Sequence, residues 1–160
     1  MRIAVCPGSF DPITFGHLDI IRRASMIFDK VIVLISVNTS KKPSFTDKER
    51  RMMIEENTKQ FPNVEIDILD GLLADYVKRV GAIAIVKGLR AVSDFEYEFQ
   101  MALANKQLYD GAETVFLTAS AENMYLSSSV VKQIAYFGGD ISKFVPENVL
   151  EFIRKRLIKE

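Results

Sequence analysis

Short apolar segments recur along the chain, and segments with a helical period separate them. Five of the apolar segments are rich in β-branched residues and apolar on both faces, at 3–6, 31–37, 64–69, 82–87 and 114–118. Such segments are typical of strands buried in a parallel sheet. Between them, apolar residues recur with a helical period at 17–28 and 94–108. The alternation predicts an α/β fold, a Rossmann-like open parallel sheet with helices on both faces.

Capping patterns mark where several of the helices should begin. Thr46 with Glu49 and Ser93 with Glu96 both have the S/T-x-x-E form, in which the hydroxyl and the carboxylate bind free backbone N–H groups. We therefore expect helices to begin at these two sites. Pro146 predicts a further helix start, because proline is favoured in the first turn of a helix.

The length of 160 residues predicts a single domain spanning 1–160, since one hydrophobic core usually organises roughly 100–200 residues. Lys and Arg together number 21, as do Asp and Glu, so the overall charge favours binding to neither nucleic acid nor a membrane surface.

The single Cys6 excludes an internal disulfide, and the single His17 excludes a metal site built from several histidines. With no long apolar run and no signal-like N-terminus, we expect a reduced, cytoplasmic protein.

The first predicted strand is followed by a loop with Gly8 and Gly16, and then by His17 at a predicted helix start. Ligands of parallel sheets bind beyond the carboxyl ends of the strands, where glycine permits close approach and helix N-termini bind anions. The loop fits neither the Walker A pattern nor G-x-G-x-x-G, which disfavours P-loop kinases and NAD dehydrogenases. On these residues alone, the glycines are equally compatible with simple turns and His17 with a helix cap.

Two short motifs, taken together, resemble the signatures of the nucleotidylyltransferase superfamily. Residues 14–17 (Thr-Phe-Gly-His) are similar to its [T/H]-x-G-H signature, and residues 126–129 (Leu-Ser-Ser-Ser) are similar to its I-S-S-S signature. With Ser-Lys-Lys-Pro at 40–43 and the segment 87–98 in the matching order, nearly the whole chain resembles the bacterial phosphopantetheine adenylyltransferases. The resemblance implies a nucleotidyltransferase of coenzyme A biosynthesis, which transfers the adenylyl group of ATP to 4′-phosphopantetheine and gives dephospho-coenzyme A and pyrophosphate.

The resemblance also implies Mg²⁺ and a homohexamer. The chain shows no compact group of carboxylates, so we expect Mg²⁺ to travel with the ATP phosphates and to have no direct protein ligand. Coenzyme A shares adenine and pantetheine parts with the two substrates, and we therefore expect it to act as a feedback ligand.

Three side chains acquire catalytic roles from the resemblance. His17 would donate a hydrogen bond to the α-phosphate as the pentacoordinate state forms. Lys41 would bridge towards the attacking phosphate, and Arg90 would reach the phosphates of ATP. Because the attacking phosphate is already ionised, such a site works by alignment and by neutralising charge. The sequence alone also allows Lys41 to be an ordinary surface lysine.

The implied binding residues follow the predicted strands. For ATP they are Ser9, Phe10, His17, Gly88, Leu89, Arg90, Glu98, Asn123, Met124, Tyr125, Leu126, Ser127, Ser128 and Ser129. For phosphopantetheine they are Ser9, Lys41, Leu73 and Lys87. The serines begin a predicted helix at 127–136, where hydroxyls and amides would hold the β- and γ-phosphates, although N-capping alone would also explain them.

Three of these positions have simpler alternatives. Glu98 also fits an ion-paired helix face, and Leu73 also fits core packing. Many relatives carry arginine where this chain has Lys87, and the lysine keeps the charge but lacks the planar fork that grips phosphate in two places. Lys87 would otherwise simply end the fourth strand with its ammonium group in solvent.

Two rival functions remain at this stage. A nucleotidyltransferase of the same superfamily would act on nicotinamide mononucleotide or glycerol phosphate, but the segment 87–98 and the Lys41 loop favour phosphopantetheine. A module that senses nucleotides without turnover would need no complete transfer site. The chain contains Ser9, His17, Lys41, Arg90 and Ser129 together, and this complete set argues against such a module.

Overall fold

The computed structural model describes residues 1–37, 40 and 42–158, except for the side chains of residues 92 and 93. In this part of the chain the strands are β1 (Ile3–Gly8), β2 (Lys30–Ile35), β3 (Val64–Ile68), β4 (Ala84–Leu89) and β5 (Glu113–Thr118). All neighbouring strands are parallel, and the sheet order is β3-β2-β1-β4-β5. The predicted open parallel sheet is therefore confirmed.

Helices cover both faces of the sheet. They are α1 (Phe15–Ile27), α2 (Asp47–Thr58), α3 (Leu73–Val80), α4 (Val92–Leu108), α5 (Ser128–Tyr136) and α6 (Glu147–Leu157), with a 3₁₀ turn at Ala121–Asn123. Successive side chains of a strand point to opposite faces. On β2, Val33 and Ile35 pack in a cluster with α1, α2, α5 and α6, whereas Ile32 and Leu34 pack with Val77 of α3 on the other face. Among the described residues, the helices are too short or too polar to span a membrane.

Of the three helix starts predicted from capping residues and proline, two are confirmed. The capping box at Thr46 and Glu49 is present at the start of α2, and Pro146 directly precedes α6 as its N-cap. The capping box predicted at Ser93 and Glu96 is wrong, because α4 already begins at Val92 and its N-cap is Ala91. Only two residues separate β4 from α4, so the helix starts as soon as the chain has left the sheet.

The strand order changes direction between β1 and β4. From β1 the chain proceeds to β2 and β3 on one side, and β4 and β5 then fill the other side. The loops that follow β1 and β4 therefore diverge and leave a crevice at the carboxyl ends of these strands, which is where open α/β sheets bind ligands.

Candidate active site

An open cavity of about 670 Å³ lies at the carboxyl ends of β1 and β4. The β1–α1 loop, the β4–α4 connection, α4 and the start of α5 line it, together with residues that follow β2, β3 and β5. The sequence-predicted residues in its wall are Ser9, Phe10, His17, Leu73, Lys87, Gly88, Arg90, Glu98, Asn123, Leu126, Ser127, Ser128 and Ser129. The structure thus brings both signature motifs to one cavity.

Three predicted residues that the structure describes are not in this wall. Leu89, Met124 and Tyr125 do not line the cavity, and Tyr125 has 86% of its side chain exposed. Their predicted roles in ATP binding stay predictions without support from the cavity's geometry. Lys41 lies outside the described residues, and its role stays a prediction from the resemblance.

The β1–α1 loop is shaped by an aromatic side chain. Phe10 has a φ of 46°, which is uncommon for a residue other than glycine, and its ring is buried. A Cβ atom added at Gly8 would lie 3.0 Å from this ring. The sequence suggested that Gly8 serves close approach to a ligand, and the structure instead places the Phe10 ring against it.

His17 is held in a defined orientation at the start of α1. The backbone N–H of Thr14 donates to Nδ1 of His17 at 3.1 Å, and the backbone N–H of His17 donates to Oγ1 of Thr14 at 3.4 Å. Because Nδ1 accepts a hydrogen bond, the neutral ring carries its proton on Nε2. The Phe10 ring packs edge-on against the imidazole, with centroids 5.1 Å apart. His17 therefore caps the helix and also presents an N–H donor at the cavity wall.

The charge state of His17 is set by its surroundings. Burial, followed by the positive charges of Arg90 and Lys87, lowers the pKa of His17 from 6.5 to about 4. The imidazole is consequently neutral at pH 7, and Nε2–H remains an uncharged donor.

This lowered pKa makes the stability of the protein depend on pH. Below about pH 6.5 the unfolded chain takes up a proton on His17 whereas the folded protein does not, so acid favours unfolding. We expect the free energy of unfolding to fall between about pH 7.5 and pH 5, and to fall less in His17→Gln, which cannot titrate there. Urea unfolding of both proteins at the two pH values measures the difference, and equal losses would contradict the assigned pKa.

The cations of the β4 region have partners inside the cavity wall. Nζ of Lys87 lies 3.3 Å from Oε1 of Glu98, and both side chains are partly buried. Arg90 donates from Nη1 to the backbone carbonyl of Leu126 at 2.9 Å and from Nε to Asp94 at 3.2 Å. Glu98 is thus an ion-paired residue, as the simpler alternative supposed, and the pair lies in the cavity wall. Arg90 links the β4–α4 connection to the residue before the serines.

The three serines differ in their surroundings. The hydroxyl of Ser127 caps α5 by accepting from the N–H of Val130 at 3.1 Å. The hydroxyl of Ser128 donates to the carbonyl of Pro12 at 2.7 Å, which joins the second motif to the loop that leads into the first. N-capping therefore explains Ser127. The first backbone N–H groups of a helix lack intrahelical acceptors, so the amides of Ser128 and Ser129 suit an anion.

Arg50 supports the cavity wall from outside it, and the sequence did not suggest this role. Its side chain is 2% exposed, pairs with Asp47, and donates from Nη1 to the carbonyl of Ser9 at 2.6 Å. This bond holds the carbonyl that precedes Phe10. Arg50 shares a helix face with Met53 and Ile54 at i+3 and i+4. This spacing is the feature of the sequence that could have indicated that Arg50 is buried.

The sequence analysis also missed one face of α4 that lines the cavity. Tyr97, Met101 and Asn105 of α4 line the cavity at intervals of four residues, which places them on one helix face. The same face carries Glu98, so α4 contributes both a charge and contact surface. Their spacing alone could not distinguish a cavity wall from core.

The described residues contain no group of three or more His, Cys, Asp or Glu side chains arranged to hold a metal ion. Among the described residues that line the cavity, Glu98 is the only carboxylate, and it is paired with Lys87 at 3.3 Å. A divalent ion fits such a wall where phosphate oxygens supply its ligands, as Mg²⁺ does with nucleotides.

The strand order and the cavity together define the class of protein to which the chain belongs. A glycine-bearing loop, a neutral imidazole at a helix N-terminus and a second helix N-terminus meet at the crevice of a parallel sheet, an arrangement suited to nucleotide and phosphate chemistry. The family model described as cytidylyltransferase-like matches residues 5–134. Nicotinic acid mononucleotide adenylyltransferase from Plasmodium falciparum, complexed with NaAD, has a similar fold: the TM-score is 0.72 at 14% identity, over 96% of this chain and 95% of that chain.

Curated relatives are much more similar in sequence. The phosphopantetheine adenylyltransferase of Caldanaerobacter subterraneus subsp. tengcongensis is 55% identical over 99% of both chains. That of Dictyoglomus thermophilum is 56% identical over 92% of this chain and 90% of its own. The chain therefore belongs to the cytidylyltransferase-like family and, within it, to the phosphopantetheine adenylyltransferases. The family inferred from the two motifs is confirmed.

Proposed function

We propose that the cavity carries out the reaction of this family, the transfer of the adenylyl group of ATP to 4′-phosphopantetheine. The products are dephospho-coenzyme A and pyrophosphate. The observation that carries the proposal is the orientation of His17, whose Nδ1 is occupied by Thr14 and whose ring is neutral. This leaves Nε2–H as an uncharged donor in a wall that also contains Lys87, Arg90 and the start of α5.

The reaction needs two phosphate sites on either side of one phosphorus atom. The β- and γ-phosphates of ATP lie at the N-terminus of α5, near Ser129 and Arg90, and the acceptor phosphate lies near Lys87. An acceptor oxygen forms a bond to the α-phosphorus as the bond to the bridging oxygen of pyrophosphate breaks. In-line transfer of this kind needs no protein nucleophile.

His17 acts on the charge that develops during this step. Its Nε2–H donates to a non-bridging oxygen of the α-phosphate, and a preorganised donor of this kind contributes most in the transition state. Ser9 and Phe10 place backbone amides beside the same group. Lys41 assists the attacking phosphate, a role that rests on the resemblance alone.

Leu73 and the α4 face of Tyr97 and Met101 supply apolar contact for the pantetheine arm. These three residues line the cavity, and an acceptor with a long chain buries more of this surface than glycerol phosphate would. This contact favours phosphopantetheine over glycerol phosphate.

Pyrophosphate release tests the function directly. The protein is incubated with ATP and Mg²⁺ and with phosphopantetheine, nicotinamide mononucleotide or glycerol 3-phosphate as the sole acceptor. Release with phosphopantetheine alone is the expected result. Release with another acceptor instead would reassign the substrate, and ATP binding without release would favour a sensing module.

Lys87 offers a specific prediction about the acceptor. We expect Lys87→Met to raise KM for phosphopantetheine by on the order of 10-fold, because a charge-assisted hydrogen bond contributes about 1.5–3 kcal/mol. The loss also leaves Glu98 without the partner it has at 3.3 Å, and its charge would repel the acceptor phosphate. Steady-state kinetics with each substrate varied in turn measures the effect.

Two companion variants separate the charge from the ion pair. Lys87→Arg keeps the charge and is expected to retain a KM close to that of the unaltered protein. Glu98→Gln in the Lys87→Met background removes the repulsion and should recover part of the loss. An unchanged KM in Lys87→Met would remove this residue from the acceptor site.

Mg²⁺ enters this proposal as a companion of ATP, held by the phosphate oxygens. The enzyme works in the cytoplasm, where ATP is available.

Coenzyme A competes with both substrates, because it shares the adenine part of ATP and the pantetheine part of phosphopantetheine. Competition binding of coenzyme A against ATP and phosphopantetheine tests this feedback, since independent binding would contradict it.

The homohexamer is supported by apolar side chains on the outside of α4. Phe95, Phe99 and Leu103 are all exposed, and a continuous apolar surface of this kind usually marks an interface. We expect Leu103→Glu to reduce the assembly to smaller species, because a charge would be buried without a partner. Sedimentation velocity measures the size, and Lys155→Glu on α6 serves as a charge-changing control that should leave it unaltered.

A further inference from the structure

One buried carboxylate joins three segments around the cavity. Asp11 is 6% exposed and directly follows Phe10 in the β1–α1 loop. Its oxygens accept from the backbone N–H groups of Ser44 and Phe45, each at 2.9 Å, and from Nζ of Lys132 at 2.9 Å. Asp11 does not line the cavity. It supports the site from behind and does not contact the ligands.

Each partner belongs to a segment that the reaction uses. The loop of Asp11 leads into His17, and Lys132 lies one helical turn after Ser128 in α5. Ser44 follows Lys41 by three residues in the chain. The carboxylate is therefore the common contact of the His17 loop, the phosphate-binding helix and the segment that follows β2.

The contacts close a ring. Nζ of Lys132 also donates to the hydroxyl of Ser44 at 3.3 Å, so Asp11, Lys132 and Ser44 contact one another. Hydrogen bonds between charged groups are stronger and more directional than neutral ones. A buried charge that loses its partner is strongly unfavourable, so the segments are held at the spacing that keeps the pair intact.

A second contact attaches α5 to the β1–α1 loop, so the helix does not depend on the Asp11–Lys132 pair for its attachment. The hydroxyl of Ser128 donates to the carbonyl of Pro12 at 2.7 Å, which ties α5 to the same loop independently of Lys132. Val131 and Ala135 of α5 are also fully buried in the core. Loss of the Asp11–Lys132 pair should therefore shift α5 relative to the other segments without detaching it.

We propose that Asp11 and Lys132 are positioning residues that set the distance between the phosphates held at α5 and the attacking group. The inference rests on the proposed function, because the distance matters only if a phosphoryl group moves between the two sites. Misplacement of reacting groups by about 1 Å can lower a rate on the order of 100-fold while ground-state contacts survive.

The test is a double-mutant cycle with Lys132→Met, Asp11→Asn and the double variant. We expect each single change to lower kcat by about 10- to 100-fold, with the dissociation constant for ATP altered less than about threefold. The double variant should be no slower than the slower single variant, because both changes break the same contact. Lys132→Arg, which keeps the charge, should recover most of kcat.

Matched controls separate positioning from general destabilisation. Lys106→Met removes a lysine that pairs with Asp110 and Glu113 on the surface, and its kcat should stay within about twofold, as such pairs contribute little. Urea unfolding of every variant records the change in stability. If Asp11→Asn does not fold, Lys132→Met and Lys132→Arg still carry the comparison, since Lys132 is partly exposed.

The outcomes are distinct. Normal kcat in Lys132→Met, losses that multiply in the double variant, or a loss of ATP binding equal to the loss of kcat would each overturn the positioning role. If the unaltered protein releases no pyrophosphate with phosphopantetheine, it is the proposed function that fails.

Discussion

Replacing His17 with alanine should lower kcat by about 10²–10³-fold while the affinity for ATP changes little. In the proposed mechanism the lost Nε2–H donor acts mainly on charge that develops in the transition state, and removal of one such donor typically has an effect of this size. Single-turnover kinetics and calorimetric titration of ATP separate the two quantities. Near-normal turnover in His17→Ala would remove the residue from the chemistry.

Because His17 also caps α1, the experiment needs a control for the cap. Thr14→Val removes the hydroxyl that accepts from the N–H of His17 but keeps the Thr14 N–H that orients Nδ1. We expect this variant to lose about 1 kcal/mol of stability and far less activity than His17→Ala. Equal losses of activity in the two variants would indicate that capping, and not donation to phosphate, explains the effect.

Arg90→Met is expected to lower kcat/KM for ATP by about 100-fold. In the proposed function the guanidinium contacts the phosphates of ATP, and in the structure it donates to the carbonyl of Leu126 at 2.9 Å, directly before the serines of α5. Hydrogen bonds from a charged group contribute about 1.5–3 kcal/mol each, so losing both kinds of contact is costly. Initial rates at varied ATP, with phosphopantetheine saturating, give the ratio.

Asp94→Asn is the matched control for this variant. Asp94 accepts from Nε of Arg90 at 3.2 Å in a partly exposed pair, and such pairs contribute little to stability. We expect kcat/KM to change by no more than about twofold to threefold. A loss in Asp94→Asn as large as that in Arg90→Met would show that Asp94, and not contact with phosphate, determines what Arg90 does.

Local patterns were enough to predict the framework of the protein. Short β-branched segments and helical periods predicted the parallel sheet, and the pair Thr46 and Glu49 predicted the start of α2. Such signals can be read from the chain because the interacting groups lie three or four residues apart. The motif of His17 and the motif of Ser129 likewise indicated the family, although 112 positions separate the two residues.

The capping box expected at Ser93 shows where local reasoning fails. The S/T-x-x-E pattern is present, but β4 ends at Leu89 and α4 begins at Val92. The short connection out of the sheet decides the helix start, and the local pattern does not override it. An N-cap contributes about 1 kcal/mol of stability, which is small compared with the constraints that strand pairing imposes.

Contacts between distant residues were decided by the tertiary structure alone. Asp11 meets Lys132 across 121 positions of the chain, and Arg50 reaches the carbonyl of Ser9 across 41. The spacing of Arg50 from Met53 and Ile54 indicates a buried helix face, but nothing in the local sequence identifies the partner of Arg50 or of Asp11. The sequence by itself determined the strands, most of the helices and the two motifs, whereas the strand order determined which charges meet behind and beside the cavity. The physical reason is that each element forms from short-range contacts, while the pairing of buried charges depends on how the elements are packed together.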